Sequence, residues 1–131
     1  MQSRIVLISD DVDFFEYIYS KLNLRKSDEL FKFSFEDIPN KIHLLSTSVL
    51  IINSENSSQK TLELLRLTKN IPAIVFAFND NDNLRLQVYT LGALAFLTPF
   101  TSDEEFWTIT VNGLNIASMQ MKYLQYREML V

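Results

Sequence analysis

Residues 49–53 read Val49-Leu50-Ile51-Ile52-Asn53. An unbroken run of four apolar residues, three of them β-branched, reads as a short strand buried on both faces. Its last residue is polar. A polar side chain at the end of such a strand stands at the mouth of the sheet, where open α/β sheets bind ligands. Upstream, Ile5-Val6-Leu7-Ile8 has the same character and ends in Ser9-Asp10-Asp11. Two buried strands, one ending in an amide and the other in acids, frame the rest of the chain.

Working outward from them, the residues alternate between strand and helix patterns. A strand is expected over Arg4–Ile8, then a helix over Asp13–Leu24. Phe14, Tyr17, Ile18, Lys21 and Leu22 fall near one face of that helix, and Asp13 caps it. Phe31–Phe35 alternates aromatic and polar residues, which predicts a more exposed second strand. Pro39 interrupts, and a short helix covers Asn40–Leu45. Ser48–Ile52 is the third strand. Ser57 or Ser58 caps a helix that faces the core through Leu62, Leu64 and Leu65. Pro72 precedes a fourth strand, Ala73–Phe78, and Asn79–Asn83 forms a polar turn. A helix over Leu84–Leu91 is closed by Gly92. Ala95-Phe96-Leu97 is a short fifth strand. Ser102-Asp103-Glu104-Glu105 then has the capping-box pattern that starts a last helix running to about residue 130. Strand and helix repeated five times imply an α/β fold with a parallel sheet.

Composition narrows the chemistry. The 131 residues suffice for one domain with its own core, and 47% hydrophobic content marks it as globular. The absence of cysteine excludes disulfides, thiolate catalysis and cysteine-based zinc sites. A net charge of −4 with scattered Lys and Arg gives no nucleic-acid patch and no polybasic membrane anchor. No apolar run approaches the roughly 20 residues of a membrane span, and no signal-peptide pattern precedes the first strand. A cytoplasmic protein is the expectation. With only two glycines, Gly92 and Gly113, there is no Gly-rich phosphate loop and no dinucleotide fingerprint.

The order of elements resembles the receiver domain of two-component response regulators over about residues 4–115. The likeness rests on Ile5 to Asp11, on Val49 to Asn53, on Pro72 to Ala77, and above all on Gly92-Ala93-Leu94-Ala95-Phe96-Leu97-Thr98-Pro99-Phe100. The family usually reads there Gly-Ala, two residues, an aromatic, two residues, then Lys-Pro-Phe. The resemblance implies a flavodoxin-like receiver fold: a five-stranded parallel sheet of order 2-1-3-4-5 in three layers. It also implies a site of five groups. Two acids after the first strand hold Mg²⁺, and an Asp after the third accepts phosphate. A Thr or Ser after the fourth strand and a Lys before the proline hold phosphoryl oxygens.

This sequence departs from that site in several places. Ser9 stands at the first acid position and Asp10 at the second, with Asp11 extending the turn. The phosphoacceptor position holds Asn53, the hydroxyl position Ala77, and the aromatic switch position Phe96. The lysine is absent, since Thr98 directly precedes Pro99 in a loop one residue short. An amide is a far poorer nucleophile than a carboxylate, so no acyl phosphate is expected at Asn53. Thr98 brings no charge to neutralise a phosphoryl group, and Ala77 cannot hydrogen-bond one. Magnesium, with only Asp10 and Asp11 as candidate ligands, is expected to bind weakly or not at all. The resemblance further suggests a cis Thr98–Pro99 bond. His43 has no acid nearby in sequence and reads as a surface helix residue.

With the chemistry gone, surfaces remain. On the last helix Trp107, Thr110, Leu114, Ala117, Met121, Leu124 and Val131 follow a loose seven-residue spacing. Ile109, Ile116, Tyr123 and Leu130 form a second seam beside it. Sheet packing accounts for the part up to about Leu114. Ala117, Met121, Tyr123 and Leu124 are the expected interface of a homodimer. Residues 116–131 are expected to extend from the 4–115 domain as a linker to a C-terminal output domain. The reading is thus a non-enzymatic, phosphorylation-independent regulatory domain acting through protein contacts, without binding nucleic acid or membrane itself.

Two other readings stay open on sequence. Asp11-Val12-Asp13 fits a Mg²⁺-dependent phosphatase of the haloacid dehalogenase type, whose sheet order is 3-2-1-4-5. A small-ligand module could use a pocket around Asp10, Asn53 and Ala77.

Overall fold

The computed structural model describes residues 3–24, 26 and 28–130. Five parallel strands, β1 (Ser3–Ile8), β2 (Asp28–Phe33), β3 (Ser48–Asn53), β4 (Ala73–Phe76) and β5 (Ala95–Leu97), form one sheet of order β2-β1-β3-β4-β5. Helices α1 (Val12–Tyr19), α2 (Ile38–Lys41), α3 (Ser58–Leu67), α4 (Asp82–Thr90) and α5 (Asp103–Met129) connect and follow them. Short 3-10 turns at Phe35–Asp37 and Ile42–Leu44 flank α2. This sheet order is the one expected of a receiver fold. It is not the 3-2-1-4-5 order of the dehalogenase-type phosphatase.

The sheet divides the core in two, because successive side chains of a strand point to opposite faces. Ile5, Leu7, Val49, Ile51, Ile74 and Phe76 pack on Phe14 and Ile18 of α1 and on Phe106 and Leu114 of α5. Val6, Ile8, Leu50, Ile52, Ala73 and Val75 pack on Ile38, Leu62, Leu64, Leu65, Leu84 and Val88 of α2, α3 and α4. All six residues of β3 are buried, as a central strand covered on both faces requires.

Several local expectations are corrected. Helix α1 ends at Tyr19 rather than Leu24, and its N-cap is Asp11, whose carboxylate accepts the Asp13 N–H at 3.0 Å. Strand β2 starts at Asp28 and ends at Phe33, ahead of the expected Phe31–Phe35. Pro39 lies in the first turn of α2 instead of interrupting it; its missing N–H has no helical partner there in any case. Strand β4 stops at Phe76, two residues early, and α4 begins at Asp82 under an Asn81 cap that accepts the Leu84 N–H. No peptide bond among the described residues is cis, so Thr98–Pro99 is trans.

Gly92 follows α4 with φ +92°, the left-handed conformation that closes a helix. The sheet ends one turn later in β5. Ser102 caps α5 by accepting the Glu105 N–H at 3.1 Å. The helix then runs 27 residues without a break, so the expected domain boundary at 115/116 falls inside one continuous helix. Gly113 sits where α5 crosses β3: a methyl group there would meet Val49 Cγ2 at 2.6 Å. Val131 lies outside the described residues. No described helix is long and apolar enough to cross a membrane.

Candidate functional site

The C-terminal ends of β1, β3, β4 and β5 lie side by side. Backbone bonds fix their alignment: Ser9 N–H to Phe33 O, Ser54 N–H to Phe76 O, and Ala77 N–H to Leu97 O, at 2.9–3.0 Å. Ser9, Asn53, Ala77 and Thr98 are therefore brought to one edge of the sheet, as the sequence predicts.

What they do there is mutual rather than outward. Asn53 and Ser9 are each only 2% exposed. Asn53 Nδ2 donates to Ser9 Oγ at 2.9 Å, and Asn53 Oδ1 accepts the Glu55 N–H at 3.0 Å. Ser9 Oγ accepts the Asp11 N–H and donates to the Asp11 carbonyl, both at 2.9 Å. Each polar atom of the amide and the hydroxyl thus has a protein partner, the condition for burying such groups without a large penalty.

The acids are committed elsewhere. Asp11 caps α1. Asp10 accepts the Phe35 N–H at 3.1 Å and pairs with Lys60 Nζ at 2.6 Å. The Lys60 ammonium holds the Asp10 carboxyl below its usual value; burial opposes that effect and the Phe35 N–H adds to it. Lys60 belongs to none of the strand-end stretches of the sequence. Its one signal is position: a cation in the first turn of α3 opposes the helix dipole, so an acid from elsewhere is needed to hold it.

The remaining positions are equally self-contained. Ala77 is buried and offers only a methyl. Thr98 turns its polar groups into its own loop, its Oγ1 accepting the Phe100 N–H at 3.3 Å and its N–H bonding Thr101 Oγ1 at 3.4 Å. Phe96 is buried; its N–H donates to the Tyr89 hydroxyl at 3.1 Å and the Arg85 guanidinium lies 4.8 Å from its ring centre. Arg85 itself pairs with Asp80 at 2.6 Å. Both side chains that hold Phe96 come from α4.

Asp10 and Ala77, expected to share a pocket with Asn53, each line a different cavity. Asp10 lines a cavity of about 790 Å³ with Phe35, Pro39, Lys60 and Leu64. Ala77 lines a separate one of about 310 Å³ with Ser54, Ser58, Asn79 and Asp80. Asn53 lines neither. Among the described residues no three acidic or imidazole side chains converge as a metal site. His43 is exposed on the turn after α2.

On α5 the expected interface residues separate. Ala117 is buried in its own chain, 2% exposed, and so is not available to a partner. Met121 is half-buried, whereas Tyr123 and Leu124 are exposed. Met119, Tyr126, Met129 and Leu130 are exposed with them.

The order of the five parallel strands and the placing of the helices define the class of fold as that of response regulator receiver domains. Among solved structures the chain is similar to a response regulator receiver protein from Pseudoalteromonas atlantica, with a TM-score of 0.70 and 14% identity over 86% of this chain and 97% of that one. It is similar to a CheY-like response regulator protein from Mesorhizobium loti, with a TM-score of 0.66 and 12% identity over 86% and 99%. It is also similar to full-length FixJ from B. japonicum, with a TM-score of 0.71 and 15% identity over 91% of this chain and 61% of that one. The likeness at these identities is one of fold. No family model and no curated protein matches the sequence.

Proposed function

We propose that this chain is a receiver-like regulatory domain of a two-component signalling protein that works without being phosphorylated. The observation that carries the reading is the bond between Asn53 Nδ2 and Ser9 Oγ. In a phosphorylatable receiver these two positions would hold carboxylates that need a divalent cation between them. Here a neutral amide and a neutral hydroxyl neutralise nothing and need no cation. Asn53 has no carboxylate to attack phosphorus, Ala77 has no hydroxyl, and Thr98 adds no positive charge. With Asp10 on Lys60 and Asp11 on the α1 N-terminus, the donor set does not suit a hard divalent cation, which wants several free oxygens.

The working surface in this reading is α5, and the domain is not an enzyme. It self-associates through that helix and signals to a C-terminal output module in the cytoplasm. Receiver-fold relatives that extend past the matched region, such as full-length FixJ, support the output module. The exposed apolar side chains from Ile116 to Leu130 support the contact surface. Incubation with acetyl phosphate and Mg²⁺, followed by intact-mass measurement, tests the inert pocket. The expected mass is unchanged, and stoichiometric addition of one phosphoryl group would overturn the proposal.

A further inference from the structure

The exposed side chains of the last part of α5 are not scattered. Ile116, Met119, Tyr123, Tyr126 and Leu130 are 36–70% exposed and recur at intervals of three and four residues. That is an unbroken a/d pattern on one stripe of the helix. The looser seam through Leu114 and Ala117 is consumed by the chain's own core, which leaves this stripe as the one that faces out. At its N-terminal end the stripe opens onto a groove of about 680 Å³ between α5 and two loops, lined by Thr47, Ile71, Ile116, Met119, Tyr123 and Leu124.

Charges flanking the stripe decide what fits it. Lys122 and Met129 lie on one flank, Gln120 and Arg127 on the other. A parallel pairing of two such helices would set Lys122 beside the partner's Arg127, a repulsion on both sides of the pair. An antiparallel pairing sets Lys122 beside the partner's Met129 and Gln120 beside the partner's Arg127, with no like charges in contact. It also packs Tyr123 against the partner's Tyr126, and Met119 against the partner's Leu130 at the edge of the groove. Aromatic rings suit the central layers, since each hydroxyl reaches the rim. Ile116, Met119, Tyr123, Tyr126 and Leu130 form one contiguous exposed apolar strip, the kind of patch that marks an interface.

We propose that the second half of α5 pairs antiparallel with α5 of a second copy of this chain, with Tyr123 and Tyr126 at the centre of the contact. The proposal deepens, and rests on, the reading of α5 as the contact surface; it is independent of the chemistry at Asn53. Sedimentation equilibrium of the full chain at high micromolar concentration is expected to give a dimer. Tyr123→Glu with Tyr126→Glu is expected to give a monomer with unchanged circular dichroism, because both rings are exposed. A monomeric wild type would overturn the proposal and leave the stripe to a different protein. Orientation is read separately. The chain has no cysteine, so Thr108→Cys carries a single spin label at an exposed helix position. Antiparallel pairing in this register separates the two labels by ~50 Å at 1.5 Å per residue. Labels within ~20 Å would mean a parallel coil and would overturn it. A phosphoryl adduct in an antiparallel dimer would sink the inert-pocket reading alone.

Discussion

Asn53 Nδ2 donates to Ser9 Oγ across the ends of β3 and β1, 44 residues apart in sequence, at 2.9 Å. The bond joins two positions at which the receiver resemblance implies carboxylates. A carboxylate at either position alone would be buried beside a neutral group. An amide donor and a hydroxyl acceptor together make a closed, neutral network anchored to the Asp11 backbone.

That coupling is measurable. Asn53→Ala takes one donor from the buried Ser9 Oγ, which keeps its two Asp11 bonds, and leaves the part-buried Glu55 N–H without its acceptor, at a cost of about 1–3 kcal/mol. Ser9→Ala strands the amide by a similar amount. The double variant is expected to lose less than the sum of the two in urea unfolding. Strict additivity would mean that the bond does not hold the two strand ends together.

Restoring the acceptor should not restore the reaction. Asn53→Asp supplies a carboxylate but removes the donor to Ser9, and it adds neither a hydroxyl at Ala77 nor a lysine at Thr98. Acetyl phosphate with Mg²⁺ is expected to leave its mass unchanged. A carboxylate in that neutral, buried setting has a raised pKa. The variant's deficit in stability against wild type should therefore be larger at pH 7 than at pH 5. A phosphoryl adduct on this single variant would show that Asn53 alone blocks the chemistry.

The sheet was legible in the sequence because its strands are buried on both faces, so Ile5–Ile8, Val49–Ile52 and Ala73–Phe76 announce themselves as continuous apolar runs. Gly92 and the Ser102 cap were legible because each answers a local backbone need. What escaped was set by distance or by choice among equals. Asp11 and Asp13 are both good caps two residues apart, and only the geometry of the turn selects Asp11. Edge strand β2 is half-buried along its length with only Lys32 exposed, so neither a continuous apolar run nor a clean alternation marks its start. The Asp10–Lys60 pair spans 50 residues. Ala117 fits a seven-residue spacing, yet it shares the buried face of α5 with Thr110 and Leu114, and how many turns of the helix the sheet covers is set by the sheet rather than by the helix's own pattern.

The Asp10–Lys60 pair predicts an acid-side loss of stability. Lys60 holds the Asp10 carboxyl below its ordinary value. A group whose folded pKa is depressed adds stability that is fully present above its unfolded pKa, about 3.9. That contribution disappears as pH falls through the lower folded value. Lys60→Ala is expected to move the Asp10 carboxyl titration, followed by NMR, back up toward the ordinary range, and to flatten the dependence of stability on pH below about 4. An unmoved titration would place the cause outside this pair.

Gly113 and Val49 make the sharpest case, because two known effects oppose each other there. Glycine in the middle of a helix costs about 1 kcal/mol relative to alanine, so Gly113→Ala on an open helix face would stabilise. Here the added methyl meets Val49 Cγ2 at 2.6 Å and Val49 Cβ at 3.3 Å. Val49 is buried in the middle of the sheet and cannot swing aside. Overpacking of that kind costs about 1–3 kcal/mol, which exceeds the propensity gain, so Gly113→Ala is expected to lower stability on balance. Val49→Ala removes the obstructing methyl and opens a small cavity of its own. In that background the sign reverses: the methyl of Gly113→Ala fills the vacated space and the helix gains its propensity. The double variant should therefore melt above Val49→Ala alone, while Gly113→Ala melts below wild type. Thermal unfolding of the four proteins checks this, and a stabilising Gly113→Ala in the wild-type background would mean that α5 does not sit this close to β3.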